Sequence, residues 1–489
     1  GLSIGQPVTL NNTGEKIVTG AADLSLNGGI SVNIGTLSST GGTLGLPVGA
    51  TLAPLALFST SNTTLNLGGS LVVAGTWTSD NTSVSLTTDN ASLSSTAGLS
   101  LASLQTNGHD FKLASATSDL TIENAFALSG GETLSTQGAD LIFKKSADIS
   151  SGSTLDASGG GKLEFQLGGT DNGTINARNA TFKIGSAYTV PGTLKTNSST
   201  TWDLTSNLDL SGGKLELGGT VTLDKVLTDN QTTFNLGEDV TVSRNQGFTL
   251  GSLDLDNSTF TLGSATTDLT LDLSDCSGTC NSPIGTLATE AADLTILGAP
   301  TVISGTTISS TGGIFTFGDG ISLNGGTISL TGSTLVLGSS FTKTGGTLTL
   351  AGTDLELLSN LSLSSDAAVT VKELRLENKT LTLQSTSSFT VADQLMMDNT
   401  NERIIWDDNT SLALSGGLKL GTNGELAWKN PGNLSIGNIV LNGGVLKIGE
   451  TSGSQTFGLT SNLTLLADSE IYFNGGNILN YSGAEVSVG

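Results

Sequence analysis

Aromatic rings, cysteine, proline, histidine and positive charge are all scarce in this chain of 489 residues. Each shortage removes a class of protein. Phe, Tyr and Trp supply 4% of positions, so the core must be built mainly from Leu, Ile and Val, which suit a narrow interior with little room for rings. The 7 prolines exclude a collagen-like chain or a proline-rich linker. Lys and Arg number 19 against 43 Asp and Glu, a formal charge of −24. With no basic stripe to neutralise phosphates, nucleic acid is excluded as a partner, and an anionic membrane surface is disfavoured for the same reason. No apolar run approaches the ~18–20 residues of a membrane-spanning helix.

The only cysteines, Cys276 and Cys280, lie in CSGTC. A disulfide closing this loop is sterically allowed and would indicate an oxidising compartment. Two small residues in a turn fit the spacing equally well, and no further ligands for zinc lie nearby. The single histidine, His109 in NGHDF, has no Ser or Cys partner at a recognisable spacing and reads as a turn residue.

Glycine is abundant instead: 66 residues, about 13% of the chain against a usual ~7%. The apolar residues, 36% of the total, fall in strict alternation, which argues against disorder because it gives a strand one face to bury. In residues 321–357, ISLNGGTISLTGSTLVLGSSFTKTGGTLTLAGTDLEL, an apolar–polar–apolar triplet starts at Ile321, Ile328 and Leu335, then at Phe341, Leu348 and Leu355. The pattern returns to phase after about twenty residues, and residues 361–400 continue it. A fixed period of this size marks a solenoid, whose coils bury apolar faces only against their neighbours. The sequence therefore predicts an all-β parallel β-helix, or β-solenoid, with about three short strands and about 20 residues per coil. Leu348, Leu350, Leu355 and Leu357 should face inward, Thr349 and Glu356 outward.

Corner phrases recur as LNGG (26–29, 323–326, 441–444) and LSGG (128–131, 210–213, 414–417). Glycine turns sharply at no steric cost, and asparagine is next most tolerant. Asn-Gly between alternating runs also signals hairpins, but triplets are too short for stable hairpin arms. A coiled coil fails because glycine at this density costs about 1 kcal/mol per helical position. The same grammar across 1–489 predicts one continuous solenoid of roughly two dozen coils, a rod on the order of 115 Å long at ~4.8 Å per coil. Irregular stretches fall near 43–60 (with Pro47 and Pro54), 272–292 (the cysteine pair) and 393–410.

Parallel β-helices include polysaccharide-degrading enzymes, so acid pairs matter. Trp406, Asp407 and Asp408 in WDDN form a candidate loop site, the ring to stack on a sugar and the carboxylates to converge. Asp254 and Asp256 in LDLDN alternate with leucines and read as an outward row. SGGGKLE and LGGTDNG each approach the glycine-rich calcium frame once, which leaves weak surface calcium at most and no cofactor. Asn-x-Ser/Thr triplets at Asn62, Asn81, Asn90, Asn179, Asn257, Asn378 and Asn462 are expected from composition alone.

The phrases GGTISLTGSTLVLG (325–338) and GGTLTLAGTDLEL (345–357) resemble the Gly-Thr-Leu-x-Leu repeats of bacterial autotransporter passengers, and more broadly of secreted haemagglutinin-like adhesins. An amino-terminal secretion domain with its Asn-Pro-Asn-Gly phrase and a carboxy-terminal membrane barrel are missing from the pattern. The resemblance implies an extracellular, non-enzymatic surface protein of Gram-negative type and transfers no site residues. Gly1 opens in strand-like sequence without an initiator Met, as after removal of a signal peptide or excision from a longer chain. The expected function is a rod-like adhesin or a subunit of a fibre or sheath, with host or cell-surface glycans or further copies of itself as partners. A polysaccharide-binding or polysaccharide-degrading enzyme is the alternative.

Overall fold

The computed structural model describes residues 1–89, 91–274, 284–384, 388–399, 401–406 and 410–422, and beyond these 424–428, 434–448, 456–459, 462–466, 468–473, 478–481 and 486–488. The chain divides into two compact units, Gly1–Val240 and Thr241–Gly489. Each is a β-solenoid whose short strands stack in parallel ladders from coil to coil, and the two together comprise about 21 turns. No helix occurs among the described residues. The strand ladders described are parallel, as at Leu163↔Phe182 and Leu335↔Leu355, so the hairpin alternative is excluded. The turns are fewer than two dozen because some coils are long: Thr259 pairs with Thr286, 27 residues on, across the coil that carries the cysteines.

In the first unit one ladder runs through Thr43–Leu46, Thr64–Leu67 and Ser83–Leu86. A second runs through Thr133–Ser135, Thr154–Asp156, Thr174–Asn176 and Thr193–Lys195. The third includes Leu120–Ile122, Leu141–Phe143, Lys162–Phe165, Thr181–Ile184 and Thr201–Leu204. Because side chains alternate along a strand, the first and third apolar residues of each triplet stack on those of the coils above and below. The core is thus a set of columns such as Leu120, Leu141, Leu163 and Phe182, all essentially inaccessible.

Rings are fewer than average but fit this interior better than their number suggests. Phe126, Phe143 and Phe165 stack at centroid separations of 5.0 and 5.2 Å, and Tyr188 and Phe182 lie 4.4 and 6.0 Å from Phe165. The ~4.8 Å spacing of paired strands is close to the spacing preferred by offset rings, so an aromatic column costs the coil no distortion.

Corners are held by a second device. A Ser or Thr just before a strand turns inward and donates its hydroxyl to a carbonyl of the preceding coil: Thr63 to Ser39 (3.1 Å), Thr82 to Thr60 (3.2 Å), Thr232 to Leu210 (3.0 Å) and Thr353 to Leu330 (3.1 Å). These hydroxyls are buried, and each finds its own partner in a corner carbonyl, so the inward turn leaves no hydroxyl unsatisfied there. The residue before the hydroxyl is in places an asparagine in the left-handed region, as at Asn62 and Asn81 (φ 47° and 46°). The Asn-x-Ser/Thr triplets at these sites are therefore corner code: a left-handed asparagine, an inward hydroxyl, then the first outward residue of a strand. In LNGG at 26–29, a Cβ on Gly28 would lie 2.2 Å from the Gln6 carbonyl carbon, and Gly29 has φ +81°. Both glycines are required there, one for space and one for conformation.

The stretch 43–60, expected to be irregular, is strand on both sides of one turn: Thr43–Leu46 and Ala50–Ser61. Its ladder partner shifts register between Val32 and Ile34, and Pro54 sits at that shift, where a missing N–H is tolerated. Leu348 is also a departure. Leu350, Leu355 and Leu357 are buried as expected, and Thr349 is exposed, but Leu348 is only half-buried. The coil above it takes a shorter path and leaves it uncovered.

Phe165→Ala, at the centre of the ring column, should cost about 3–5 kcal/mol in urea unfolding. Hydrogen exchange should rise most in strands 141–143 and 181–184, because each coil is supported only by its neighbours. Thr232→Val should cost about 1–3 kcal/mol by depriving the Asp229 N–H of its acceptor and the Leu210 carbonyl of one of its two donors, whereas Thr232→Ser should stay near wild type in the same assay.

Candidate functional site

Outward positions are more informative than the core. Over strands Lys162–Phe165, Thr181–Ile184 and Thr201–Leu204, Glu164, Lys183 and Asp203 stand in one row of alternating sign. Lys183 Nζ lies 3.7 Å from Glu164 and 3.5 Å from Asp203, and Lys162 lies 3.0 Å from Glu164. Burial works against ionisation of Glu164, but Lys162, Gln166 and Lys183 outweigh it and hold the carboxyl below its usual range. In the second unit Arg403, Glu425 and Lys447 form a similar row, with contacts of 2.7 and 2.6 Å. These cations are thus set opposite acids across the ladders, where each pair contributes modestly.

One face of the second unit departs from this scheme. Strands Thr259–Leu262, Gly285–Ala288, Thr306–Ser310, Thr327–Thr331 and Thr347–Ala351 align in one ladder. Its first outward row is Thr259, Thr286, Thr307, Thr327 and Thr347; its second is Thr261, Ala288, Ser309, Ser329 and Thr349. Neither row carries a charge, in a chain of net −24. The inward residues between them are Phe260, Leu287, Ile308, Ile328 and Leu348. Strand geometry sets the hydroxyls and methyls about 4.8 Å apart between coils and about 6.6 Å apart between rows. Such a surface offers repeated hydrogen bonding and apolar contact without the desolvation cost of ions. The Thr-apolar-Ser/Thr triplets are visible in the sequence but their alignment is not, because the coils joining them differ in length.

Trp406 ends the strand Arg403–Trp406 and points into the core at 1% exposure. Alternation puts Ile404 and Trp406 on the buried side, so the indole presents no face to a sugar. Asp407 and Asp408 lie outside the described residues, as do Cys276 and Cys280. His109 closes a corner: its N–H donates to Thr106 O at 3.0 Å, and its Nδ1 lies 3.0 Å from Asp89 Oδ1 of the preceding coil. Asp254 and Asp256 are solvated beside buried Leu253 and Leu255. Among the described residues, no group of three or more His, Cys, Asp or Glu side chains is gathered as a metal site would require.

LGGTDNG (167–173) holds a carboxyl that the sequence did not single out as buried. Asp171 is fully inaccessible. Its Oδ1 accepts from Gly173 N–H at 2.8 Å, while Oδ2 has no hydrogen-bond partner. Burial pushes its pKa up to about 7, with the Gly173 hydrogen bond opposing. Burial also raises the nearby Tyr188 phenol, helped by the charges of Asp171 and Asp148, and its hydroxyl donates to Ala147 O at 3.1 Å.

Neither family models, nor curated proteins, nor solved structures match this chain.

Asp171 sets a pH dependence. Its folded-state pKa exceeds the unfolded value, so its contribution is complete below about pH 4 and is lost as pH rises through about 7. Stability should fall across that window by at most on the order of 4 kcal/mol, and Asp171→Asn should flatten the profile. Hydrogen exchange of residues 147–190 at pH 5 and pH 8 measures both.

Proposed function

We propose that this protein is a non-enzymatic structural or adhesive protein of the cell exterior, and that it makes contact through the threonine and serine face of its second unit. The observation that carries this reading is the pair of uncharged rows repeated over five coils. A repeating surface suits a repeating partner, and many weak equivalent contacts add through multivalency. Extended cell-surface glycans have that character, with hydroxyls and apolar ring faces in regular alternation. A further copy of this chain is the other partner of the same kind. The inward position of Trp406 weighs against the alternative of a sugar-cleaving site built around that ring.

The test is binding of the intact protein to glycan arrays and to whole bacterial and host cells, beside a variant carrying Thr286→Lys, Thr307→Glu and Ser329→Lys. All three positions point outward, so the melting temperature should hold while adhesion drops at least about tenfold. Undiminished adhesion by the variant, or release of reducing sugar ends from a bound glycan, would sink the proposal.

A further inference from the structure

The threonine face ends in a step. Strand Thr347–Ala351 pairs with Thr327–Thr331 below it. The strand above, Val369–Val371, pairs only upward, with Ser388–Val391, and the two belong to separate sheets. The cause is a difference in path length. The coils are in register at Lys343↔Ser365 and again where Lys372 N–H donates to Thr353 O at 2.8 Å. Between these ties the lower coil uses nine residues and the upper only six, so the upper wall is set back.

The step leaves a groove of about 450 Å³, lined by Leu348, Leu350, Ala351, Ala368, Val369 and Lys372 among others. Among the described residues, Lys372 is the only charged one that lines it. Its Nζ lies 3.6 Å from Asp354 and its side chain is half exposed.

The lower wall of the groove is an open strand edge. Thr347 N–H donates downward to Gly326 O, and Ala351 O accepts from Gly332 below. Peptide groups alternate along a strand, so the N–H and C=O of Leu348 and the N–H of Leu350 point upward into the groove. Leu350 O also faces that way and accepts from Thr353 N–H at 3.3 Å. Open edges of this kind are recognised by strand addition.

We propose that this groove binds the carboxy-terminal end of an extended polypeptide, which adds as a parallel strand on Leu348–Leu350 and places its terminal carboxylate at Lys372. Direction follows from the site. The strands of these ladders are parallel, and a parallel guest runs toward Gly352, where Lys372 stands. Its apolar side chains cover the half-buried Leu348. Charge selects the guest's end, since a carboxylate meets the one cation of the groove in an otherwise acidic protein. The site does not depend on the adhesive reading, because it uses backbone groups and Lys372 and not the threonine rows.

The probe is a fluorescein-labelled hexapeptide of alternating threonine and valine with a free carboxyl terminus, beside its carboxy-terminal amide, titrated with the full chain by fluorescence anisotropy. Saturable binding is expected, about tenfold weaker for the amide. Lys372→Gln should reduce the acid to the level of the amide and leave the amide unchanged. Leu348→Pro removes an upward N–H without touching the downward ladder and should abolish binding of both peptides. Ala368→Tyr, at an exposed position, should do the same by filling the groove, and keeps the test valid if the proline variant does not fold. No saturable binding, or binding that survives Ala368→Tyr in a folded protein, overturns the site. Equal affinity for acid and amide overturns the carboxylate end.

Discussion

Everything in each unit depends on parallel coil-on-coil hydrogen bonding that brings inward apolar residues into columns. A triplet strand has too few backbone bonds to stand alone, and its two inward side chains bury little surface by themselves. Stacking solves both problems together, since a strand within a ladder is paired above and below and its inward residues lie between like neighbours. The columns then select their own contents. Leucine fills most positions, and rings are taken up where they follow one another from coil to coil, as from Phe126 to Phe143 to Phe165.

Corners are the second constraint. A solenoid must turn three times per coil without leaving buried peptide groups unsatisfied. Left-handed asparagine or glycine supplies the geometry, and an inward Ser or Thr hydroxyl ties the corner to a carbonyl of the preceding coil. This explains why the chain can be so rich in small polar residues and still possess a continuous core. It also accounts for the Asn-x-Ser/Thr triplets at Asn62 and Asn81, where the folded backbone uses both the left-handed asparagine and the hydroxyl that follows it.

The regular scheme is modified on one wall of the second unit. Outward rows such as that of Glu164, Lys183 and Asp203 alternate in charge; on one face of the second unit they become uncharged, and that face ends where a coil shortens and a strand edge opens. The first change costs no stability, because cross-strand threonine pairs are themselves favourable. The second uncovers Leu348 and part of a backbone edge, which edge strands normally protect. Both features lie on the same wall, and neither disturbs the columns behind it.

The architecture was legible in the order of residues alone. Triplet alternation, the return to phase after about twenty residues and the Gly/Asn corners specify parallel coils with leucine inside, because each is a local property of successive residues. Folding was needed to show which outward residues share a row, that Leu348 is uncovered, that Trp406 faces the core and that Asp171 is buried. These depend on how coils of unequal length are brought into register, and a loop can absorb three residues or eight without changing the triplets on either side of it. Local pattern fixes which way a side chain points relative to its own strand. Its neighbours are fixed by the coil above and the coil below.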